Sequence, residues 1–332
     1  MEAAFYTVSD ADYFVGTVAL LNSIRLVGHD EQFFVSDCGL DARQRRFLEP
    51  LATLVDASLH EVPHHAKLRA ALEHEADVMI LLDSDMLVVR RLDELIARAE
   101  RGSIVAFADP LADRFDPRWG SLLGLEDLNR GTYVNAGVLV VPRQLAGPLF
   151  ASVLSAQEVV DLEQTRLGQG TTSNPFYFVD QDVWNAVLTS RAGGGKLDVL
   201  PNRLAPHPPF KGLRRSGDGN RYTYGNGEAP FVLHHVLAKP WLRRTRRNLY
   251  SRLLPQLLLE PGLPMRLERR DLPLRLRPGL LAEPARMYAD AVGAGRLLRG
   301  RLGIRRRLNA WLSGKRRRKE QHEASAERRA LS

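Results

Sequence analysis

An apolar run interrupted by two carboxylates, between Asp77 and Arg90, constrains this chain more than any other stretch. Residues 78–82 are five consecutive apolar side chains, the pattern of a strand covered on both faces in a parallel α/β sheet. Asp83 and Asp85 follow directly, where that strand is expected to end. Because ligands of open α/β sheets bind outside the carboxyl ends of the strands, both carboxylates are expected at the mouth of a crevice.

Side chains two positions apart on an extended chain point the same way, so Asp83 and Asp85 present their oxygens together. Such a pair suits Mg²⁺ or Mn²⁺, which in turn binds the diphosphate of a nucleotide. The alternative is a polar turn, and an isolated Asp-x-Asp is more often a turn because short motifs recur by chance. The apolar surroundings favour a site, since buried charges are costly unless paired, hydrogen-bonded or metal-bound.

The composition fits a globular protein in a reducing compartment. A chain of 332 residues with 44% hydrophobic side chains accommodates one large α/β domain and an appendage. Its single cysteine, Cys38, excludes an intramolecular disulfide and a zinc cluster of cysteines, which favours a cytoplasmic location. We expect neither a signal peptide nor a transmembrane helix, because no segment has the apolar length that either needs.

Charge is distributed unevenly along the chain. Residues 1–240 hold 23 Lys and Arg against 31 Asp and Glu, a balance of −8. Residues 241–332 hold 24 against 8, a balance of +16. We therefore predict a body of residues 1–241 and a basic, largely helical extension of residues 242–332 with a disordered end, which points to an anionic partner.

Within the extension, residues 283–319 predict one or two helices. Trp311 and several leucines among many arginines fit an interfacial helix on the anionic inner face of a membrane. The alternative is a helix packed on the body, followed by a solvated basic end. The basic clusters 305–307 and 315–319 also suggest nucleic-acid binding. No groove-reading motif or aromatic interleaving accompanies them, so nucleic acid is the disfavoured partner.

Strands and helices alternate along the body, which predicts a mainly parallel sheet with right-handed crossovers. The predicted strands are residues 5–8, 32–36, 54–59, 78–82, 104–108, the segment after Tyr133, and 231–235. The predicted helices are residues 14–26, 41–51 with Asp41 as N-cap, 67–75, 92–101, 157–167, and one that begins at Asp180. Residues 114–130 and 191–227 are predicted as loops.

Other polar residues follow predicted strands. Asp10 and Tyr13 lie in the first strand-to-helix loop, where a carboxylate and an aromatic ring suit a ribose and its base. The alternative for this pair is a helix cap and a surface tyrosine. Farther along, Gly137 in Asn135-Ala136-Gly137 permits the close approach of backbone or ligand.

Five motifs in order resemble the retaining glycosyltransferases of family eight, to which glycogenin and the lipooligosaccharide galactosyltransferases belong. They are Thr7-x-x-Asp10-x-x-Tyr13, Lys67 sixteen residues before Asp83-Ser84-Asp85, Asn135-Ala136-Gly137, Asp180-Gln181-Asp182, and His234-His235-x-x-x-Lys239-Pro240-Trp241. The resemblance covers about residues 5–241 and implies a GT-A fold in that catalytic part. It also implies a nucleotide-diphosphate sugar donor, UDP-glucose or UDP-galactose, an envelope glycan, glycolipid or other saccharide acceptor, and Mn²⁺, with Mg²⁺ as second choice.

The resemblance also implies a role for each motif residue. Metal ligands would be Asp83, Asp85 and a histidine; the nucleotide would contact Thr7, Asp10, Tyr13, Lys67 and Ser84; the sugar would contact Asn135, Ala136, Gly137, Asp180 and Gln181; and Lys239 would bind the diphosphate. An imidazole joined to two carboxylates suits Mn²⁺ better than Mg²⁺.

One motif departs from the family pattern, which is His-x-x-Gly-x-x-Lys-Pro-Trp. Here His234 lies five residues before Lys239, His235 lies four before it, and the glycine is missing. We prefer His234 as the ligand, with a one-residue deletion in the loop, and keep His235 as the alternative. A third interpretation is that neither histidine binds metal.

For the chemistry, Asp180, Gln181 and Lys239 are the expected catalytic residues. Lys239 and the metal would stabilise the leaving diphosphate, since electrostatic assistance is often the largest catalytic term. Gln181 is a poor nucleophile, so we expect front-face attack, with Asp180 holding sugar hydroxyls and covalent attack by Asp180 as the lesser option. An inactive sugar-nucleotide-binding protein is the other function that these residues allow.

Overall fold

A computed structural model describes residues 1–57, 63–190, 196–215, 222–236, 238–242, 248–272 and 276. The predicted helices of residues 283–319 and the disordered end of the extension lie outside this range. Among the helices within it, none combines the length and apolarity needed to cross a bilayer.

The strands, in chain order, are β1 (Ala3–Ser9), β2 (Gln32–Asp37), β3 (Thr53–Asp56), β4 (Val78–Leu82), β5 (Met86–Val88), β6 (Ser103–Ala108), β7 (Val134–Pro142), β8 (Lys196–Leu200), β9 (Arg214–Arg215), β10 (Tyr222–Thr223) and β11 (Val232–His234). The helices are α1 (Phe14–Leu26), α2 (Ala42–Leu48), α3 (Pro63–Ala66), α4 (Arg69–Glu73), α5 (Asp93–Glu100), α6 (Arg118–Leu123), α7 (Arg143–Glu158), α8 (Asp180–Thr189) and α9 (Leu249–Leu259).

Within the described residues, the central sheet has seven strands in the order β3-β2-β1-β4-β7-β6-β8. β7 runs antiparallel to both of its neighbours, and every other pair in this sheet is parallel. The prediction of a mainly parallel α/β sheet is confirmed. β5 pairs with β11 in a separate antiparallel ribbon, with His234 opposite Met86.

Strand β4 is buried on both faces of the sheet, as its unbroken apolar run predicted. Val78, Ile80 and Leu82 face one core cluster, which α1, α5 and α9 cover. Met79 and Leu81 face the other, which α4, α7 and α8 cover. The strand therefore ends inside a three-layer sandwich, and the residues after it emerge at the edge of the sheet.

Local signals placed several elements correctly. The predicted bounds of α1 and β4 are those observed. Asp41 caps α2 as predicted: its Oδ1 accepts the Arg43 and Gln44 amides at 2.8 Å each, and Gln44 Oε1 accepts the Asp41 amide at 2.9 Å. These bonds satisfy three of the four amides that a helix start leaves unbonded.

Other predictions were wrong. Residues 157–167 are not one helix, because α7 ends at Glu158 and only a 3₁₀ turn, Leu162–Gln164, follows. Gly147 and Pro148 have low helix propensity, so the sequence did not indicate α7. The helix forms because its buried side chains pack on the sheet, and this burial outweighs the propensity.

The two predicted loops also contain regular structure. Residues 114–130 include α6, whose buried Trp119 donates from Nε1 to the Pro175 carbonyl at 2.9 Å. Residues 191–227 include β8, β9 and β10, and β8 pairs with β6 at the edge of the sheet. The many glycines and prolines of that segment indicated a loop, but pairing at the edge of the sheet stabilises β8.

The segment after the body packs onto α1. α9 and the residues that follow it add apolar side chains to the core, and Asn22 binds their backbone. The Asn22 amide donates to the carbonyls of Leu257 at 2.8 Å and Met265 at 2.6 Å, and its oxygen accepts the Met265 amide at 3.0 Å. One buried side chain thus satisfies three backbone groups.

We predict that Asn22→Ala lowers the free energy of unfolding by about 3 kcal/mol, because the substitution leaves those buried backbone groups unbonded. Chemical denaturation measures this loss. Leu26→Ala on the same helix is the control: the Leu26 side chain is 58% exposed, and its removal should cost about 0.5 kcal/mol. Equal losses for the two variants would contradict the assigned role of Asn22.

Candidate active site

A cleft of about 520 Å³ opens at the carboxyl ends of β1 and β4. Ligands of open α/β sheets bind at this position. Its lining includes Ser9, Asp10, Tyr13, Pro63, Lys67, Asp83, Ser84, Asp85, Asn135, Ala136, Gly137, Arg166, Leu167, Asp180, Gln181, His234, Val236, Lys239 and Leu242. Most of the residues that the sequence singled out therefore share one cavity.

Asp83, Ser84 and Asp85 form the turn between β4 and β5. The Asp83 amide donates to the Gly137 carbonyl at 2.9 Å, and the Met86 amide donates to the Asp83 carbonyl at 3.2 Å. These bonds hold both carboxylates at the cleft. The Asp85 side chain is buried, whereas that of Asp83 is 36% exposed.

His234 approaches this turn from β11. Its Nε2 lies 3.2 Å from Asp85 Oδ1 and 3.6 Å from Asp83 Oδ2. Its Nδ1 lies 3.0 Å from Asn135 Oδ1. The Asn135 amide nitrogen donates to Gln181 Oε1 at 3.0 Å and to Asp109 Oδ2 at 3.2 Å, so Oδ1 is the acceptor toward His234. The proton of a neutral His234 therefore sits on Nδ1, and the Nε2 lone pair faces the two carboxylates.

This arrangement fits a divalent metal ion. One donor atom each from Asp83, Asp85 and His234 lies within 4.8 Å of the others. Asp85 Oδ1 is buried and accepts no well-aligned hydrogen bond within the described residues. Two carboxylates and an imidazole lone pair that converge repel each other unless a cation lies between them, and oxygen with imidazole nitrogen suits a divalent first-row metal.

Two lysines neutralise the acidic pair. Lys67, buried beside the turn, donates from Nζ to Asp83 Oδ1 at 2.8 Å and to the Ala136 carbonyl at 2.7 Å. Lys239 donates to Asp85 Oδ2 and, at 2.7 Å, to the His235 carbonyl. Burial, the largest influence, favours the neutral form of Asp85, but Lys239 and His234 together outweigh it and hold the pKa of this carboxyl well below its usual range.

On the far wall, Gln181 belongs to an amide network with Asn135 and Asp109. Gln181 Oε1 accepts from Asn135, and Gln181 Nε2 donates to Asp109 Oδ2 at 3.3 Å. Both ends of the Gln181 amide are thus engaged. Asp180, the first residue of α8, lines the cleft beside it.

The wall at β1 carries an aromatic ring. Asp10 Oδ1 accepts the Tyr13 amide at 2.9 Å, so Asp10 closes the turn before α1, and both side chains still line the cleft. Burial, with Asp85 and Asp10 nearby, raises the pKa of Tyr13. The Tyr13 ring meets Trp241 edge-on at 6.1 Å, and the Lys239 ammonium lies 5.9 Å from its centre.

Two residues singled out in the sequence lie away from the cleft. Thr7 is fully buried within β1 and does not line the cavity. His235 points toward α9: its ring packs against Tyr250 at 5.0 Å, and its Nε2 lies 3.0 Å from Asn248 Nδ2. His234 is therefore the histidine that the fold brings to the acidic pair.

Asp109 and Arg166 also belong to this region, although neither was predicted from the sequence as a site residue. Asp109 follows β6 directly, and this position at a strand end is a signal that the sequence offered. Arg166 lines the cleft from the segment between α7 and α8, and no motif marks it. His207 was also missed; its ring meets His234 edge-on at 5.1 Å.

Comparison with solved structures identifies the fold. The chain matches the galactosyltransferase LgtC, solved with donor and acceptor sugar analogs, with a TM-score of 0.50 and 20% identity over 79% of this chain and 98% of that one. It matches the bifunctional glycosyltransferase WbbM with a TM-score of 0.54 and 15% identity over 80% of this chain and 50% of WbbM.

A third match is the glycosyltransferase GlyE of Streptococcus pneumoniae TIGR4, with a TM-score of 0.51 and 14% identity over 78% of this chain and 60% of GlyE. No protein-family profile and no curated protein matches the sequence. The predicted GT-A fold is confirmed: the chain has the fold of these glycosyltransferases. The resemblance read from the motifs thus holds at the level of fold.

We predict that Gly137→Ala weakens binding of a divalent metal ion at least about tenfold, the range for a disturbed ligand support. A Cβ at this position would lie 2.5 Å from His234 Cε1, 2.8 Å from Asn135 Oδ1 and 2.4 Å from Met86 Cε, so the imidazole has to move. Calorimetric titration with Mn²⁺ measures the change. Gly147→Ala in α7 is the control, since its Cβ meets nothing within 4 Å. Unchanged binding in Gly137→Ala would contradict the site.

Proposed function

We propose that this protein is a metal-dependent retaining glycosyltransferase that moves a hexose from a nucleotide-diphosphate sugar to a saccharide acceptor. The observation that carries the proposal is the convergence of Asp83, Asp85 and His234 at the cleft of a GT-A fold. Two lysines beside the acidic pair add the positive charge that a diphosphate requires.

Metal binding is assigned to Asp83, Asp85 and His234, with Mn²⁺ as the preferred ion because the donor set includes an imidazole. When bound, the ion supplies Lewis-acid stabilisation of the diphosphate. The Asn135 side chain holds His234 with Nε2 toward the carboxylates. Such outer partners orient a ligand and maintain its tautomer.

Lys239 is proposed to stabilise the leaving diphosphate. Its ammonium already bonds Asp85 at the cleft, and a flexible point charge can move from that carboxylate to a phosphate oxygen. Lys67 is held more firmly, between Asp83 and the Ala136 carbonyl, so its contribution is to orient Asp83 and offset its charge. The Tyr13 ring and the Asp10 carboxylate suit the nucleoside, on the same wall as Lys239.

Front-face attack is the route to retention that these residues favour. Both ends of the Gln181 amide are hydrogen-bonded to Asn135 and Asp109, which fixes its position, and an amide is a poor nucleophile. Asp180 lines the same part of the cleft and is assigned to sugar hydroxyls, while the leaving phosphate accepts the proton of the acceptor. Covalent attack by Asp180 stays the lesser alternative.

UDP-glucose and UDP-galactose are the donors proposed, and an envelope glycan or glycolipid is the acceptor. LgtC, which shares the fold, was solved with donor and acceptor sugar analogs, and this supports a two-substrate cleft. A cytoplasmic protein held at the inner face of a membrane through residues 283–319 would meet such a lipid-linked acceptor.

The test is a panel of UDP-sugars with Mn²⁺, following UDP release with and without saccharide acceptors. We expect Asp83→Asn and Asp85→Asn each to lower the rate more than about a hundredfold, since lost charge stabilisation of this kind costs roughly 3 kcal/mol. Asp113→Asn, at an exposed site outside the cleft, is the matched control. Full rates in both cleft variants, with the fold intact, would refute the metal-dependent proposal.

The two histidines give a second prediction. His234→Ala should raise the Mn²⁺ concentration required for half-maximal rate by at least about tenfold, because it removes a proposed ligand. His235→Ala should change it little, since that side chain packs toward Tyr250. Mn²⁺ titrations of both variants measure the difference. The reverse ranking would transfer the role to His235, and two small effects would exclude both.

A further inference from the structure

Asp182 is a fully buried carboxylate that the proposed chemistry does not use. It accepts four hydrogen bonds: from Arg114 Nε at 2.6 Å, Arg114 Nη2 at 2.8 Å, the Tyr133 hydroxyl at 2.7 Å and the Phe178 amide at 2.7 Å. Both of its oxygens are thus occupied, and it lies in the first turn of α8, two residues after Asp180. Asp182 is therefore a structural anchor and has no free oxygen for a substrate.

Arg114 joins this anchor to the segment that precedes α8. Beyond its two bonds to Asp182, Arg114 Nη2 donates to the Pro175 carbonyl at 3.1 Å, and the guanidinium lies 4.9 Å from the centre of the Phe178 ring. A planar fork that makes two parallel bonds fixes the carboxylate in orientation as well as position. The orientation of Asp182 in turn fixes the Phe178 amide.

Val179 follows Phe178 directly and has a backbone that a β-branched side chain rarely adopts, with φ 57° and ψ −123°. Val179 is fully buried and immediately precedes Asp180. Strain of this kind persists only where the surroundings determine the conformation. A relaxed Val179 would rotate the peptide that leads into Asp180 and Gln181, the two residues that α8 presents to the cleft.

We propose that Arg114 is a positioning residue, an inference that rests on the proposed glycosyl transfer. Arg114 acts through Asp182 and Val179 to place Asp180 and Gln181 against the donor sugar. Arg114 does not line the cleft, so its proposed effect on transfer is indirect. The nucleotide wall, formed by Tyr13 and Lys239, is separate from this network. Transfer should therefore depend on Arg114, whereas nucleotide binding should not.

The first experiment compares Arg114→Lys with the wild type. The lysine keeps the charge and loses the fork, so we expect kcat to fall between about tenfold and a hundredfold, as for small misplacements of reacting groups. The Kd of UDP with Mn²⁺ should stay within about twofold. Arg98→Lys is the matched control, because Arg98 also pairs with an aspartate, Asp198 at 2.7 Å, and lies away from the cleft.

Val179→Gly tests the mechanism. Glycine adopts this backbone without strain, so the loss in kcat caused by Arg114→Lys should be at least about fivefold smaller when Val179 is replaced by glycine. If Arg114→Lys does not fold, Tyr133→Phe replaces it, since this change removes one bond to Asp182 and keeps the ring. Hydrogen exchange of residues 174–185 should rise in Arg114→Lys and not in Arg98→Lys.

An unchanged kcat in Arg114→Lys would overturn the inference, and so would a fall in UDP affinity as large as the fall in kcat. If Arg114→Lys lowers kcat by the same factor in the wild-type and the Val179→Gly backgrounds, the role of backbone strain is refuted. Wild-type turnover separates this inference from the proposed function. If the wild type releases no UDP from any donor, both the proposed glycosyl transfer and the proposed role of Arg114 in it are refuted. If the wild type is active and Arg114→Lys is fully active, only the role of Arg114 is refuted.

Discussion

Two carboxylates stand at the end of a strand that is buried on both faces, and charges in that position require compensation. Asp83 and Asp85 obtain it from Lys67 and Lys239, and a cation held together with His234 would complete it. Removing one partner of a buried pair is strongly destabilising, because the other charge is left without a counterion. The need to compensate this acidic pair therefore dictates which loops meet at the cleft.

The partners are themselves supported by uncharged groups. Asn135 holds His234, and Gln181 and Asp109 hold Asn135, so a chain of amide hydrogen bonds runs from the acidic turn to the start of α8. A polar network that is satisfied throughout keeps its members in one arrangement. The Asn135 amide thus links the proposed metal side of the cleft to the proposed sugar side.

Much of this could be predicted from local patterns. An unbroken apolar run marked β4, the helical period marked α1, and the Asp41 side chain marked the start of α2. The antiparallel direction of β7 could not be predicted from the sequence, because the apolar pattern of a strand buried on both faces is the same whichever way the strand runs. α7 was missed for a different reason: Pro148 lies within it, and only packing on the sheet stabilises a helix there.

The same distinction applies to the site. Motif spacing predicted the acidic pair and both lysines. The shortened spacing before Lys239 left two histidines as candidate metal ligands, and the pairing of β11 with β5 is what places His234 at the acidic pair. Asp109 and Arg114 carry no motif, since their importance comes from partners distant in sequence. Spacing therefore predicts residues that act from one short segment, and tertiary contacts are needed for the rest.

The β5–β11 pairing also bears on how the chain folds. Val88 and Val232 pair across 144 positions, the widest separation among the strand pairings of the described residues, so this ribbon closes a long loop. Loops of this length close late, because their entropy cost precedes the contacts that reward it. Lys67, only sixteen positions from Asp83, can reach its carboxylate much earlier. During synthesis the acidic turn thus has one local counterion from the start, and its second ion pair forms only after Lys239 has left the ribosome.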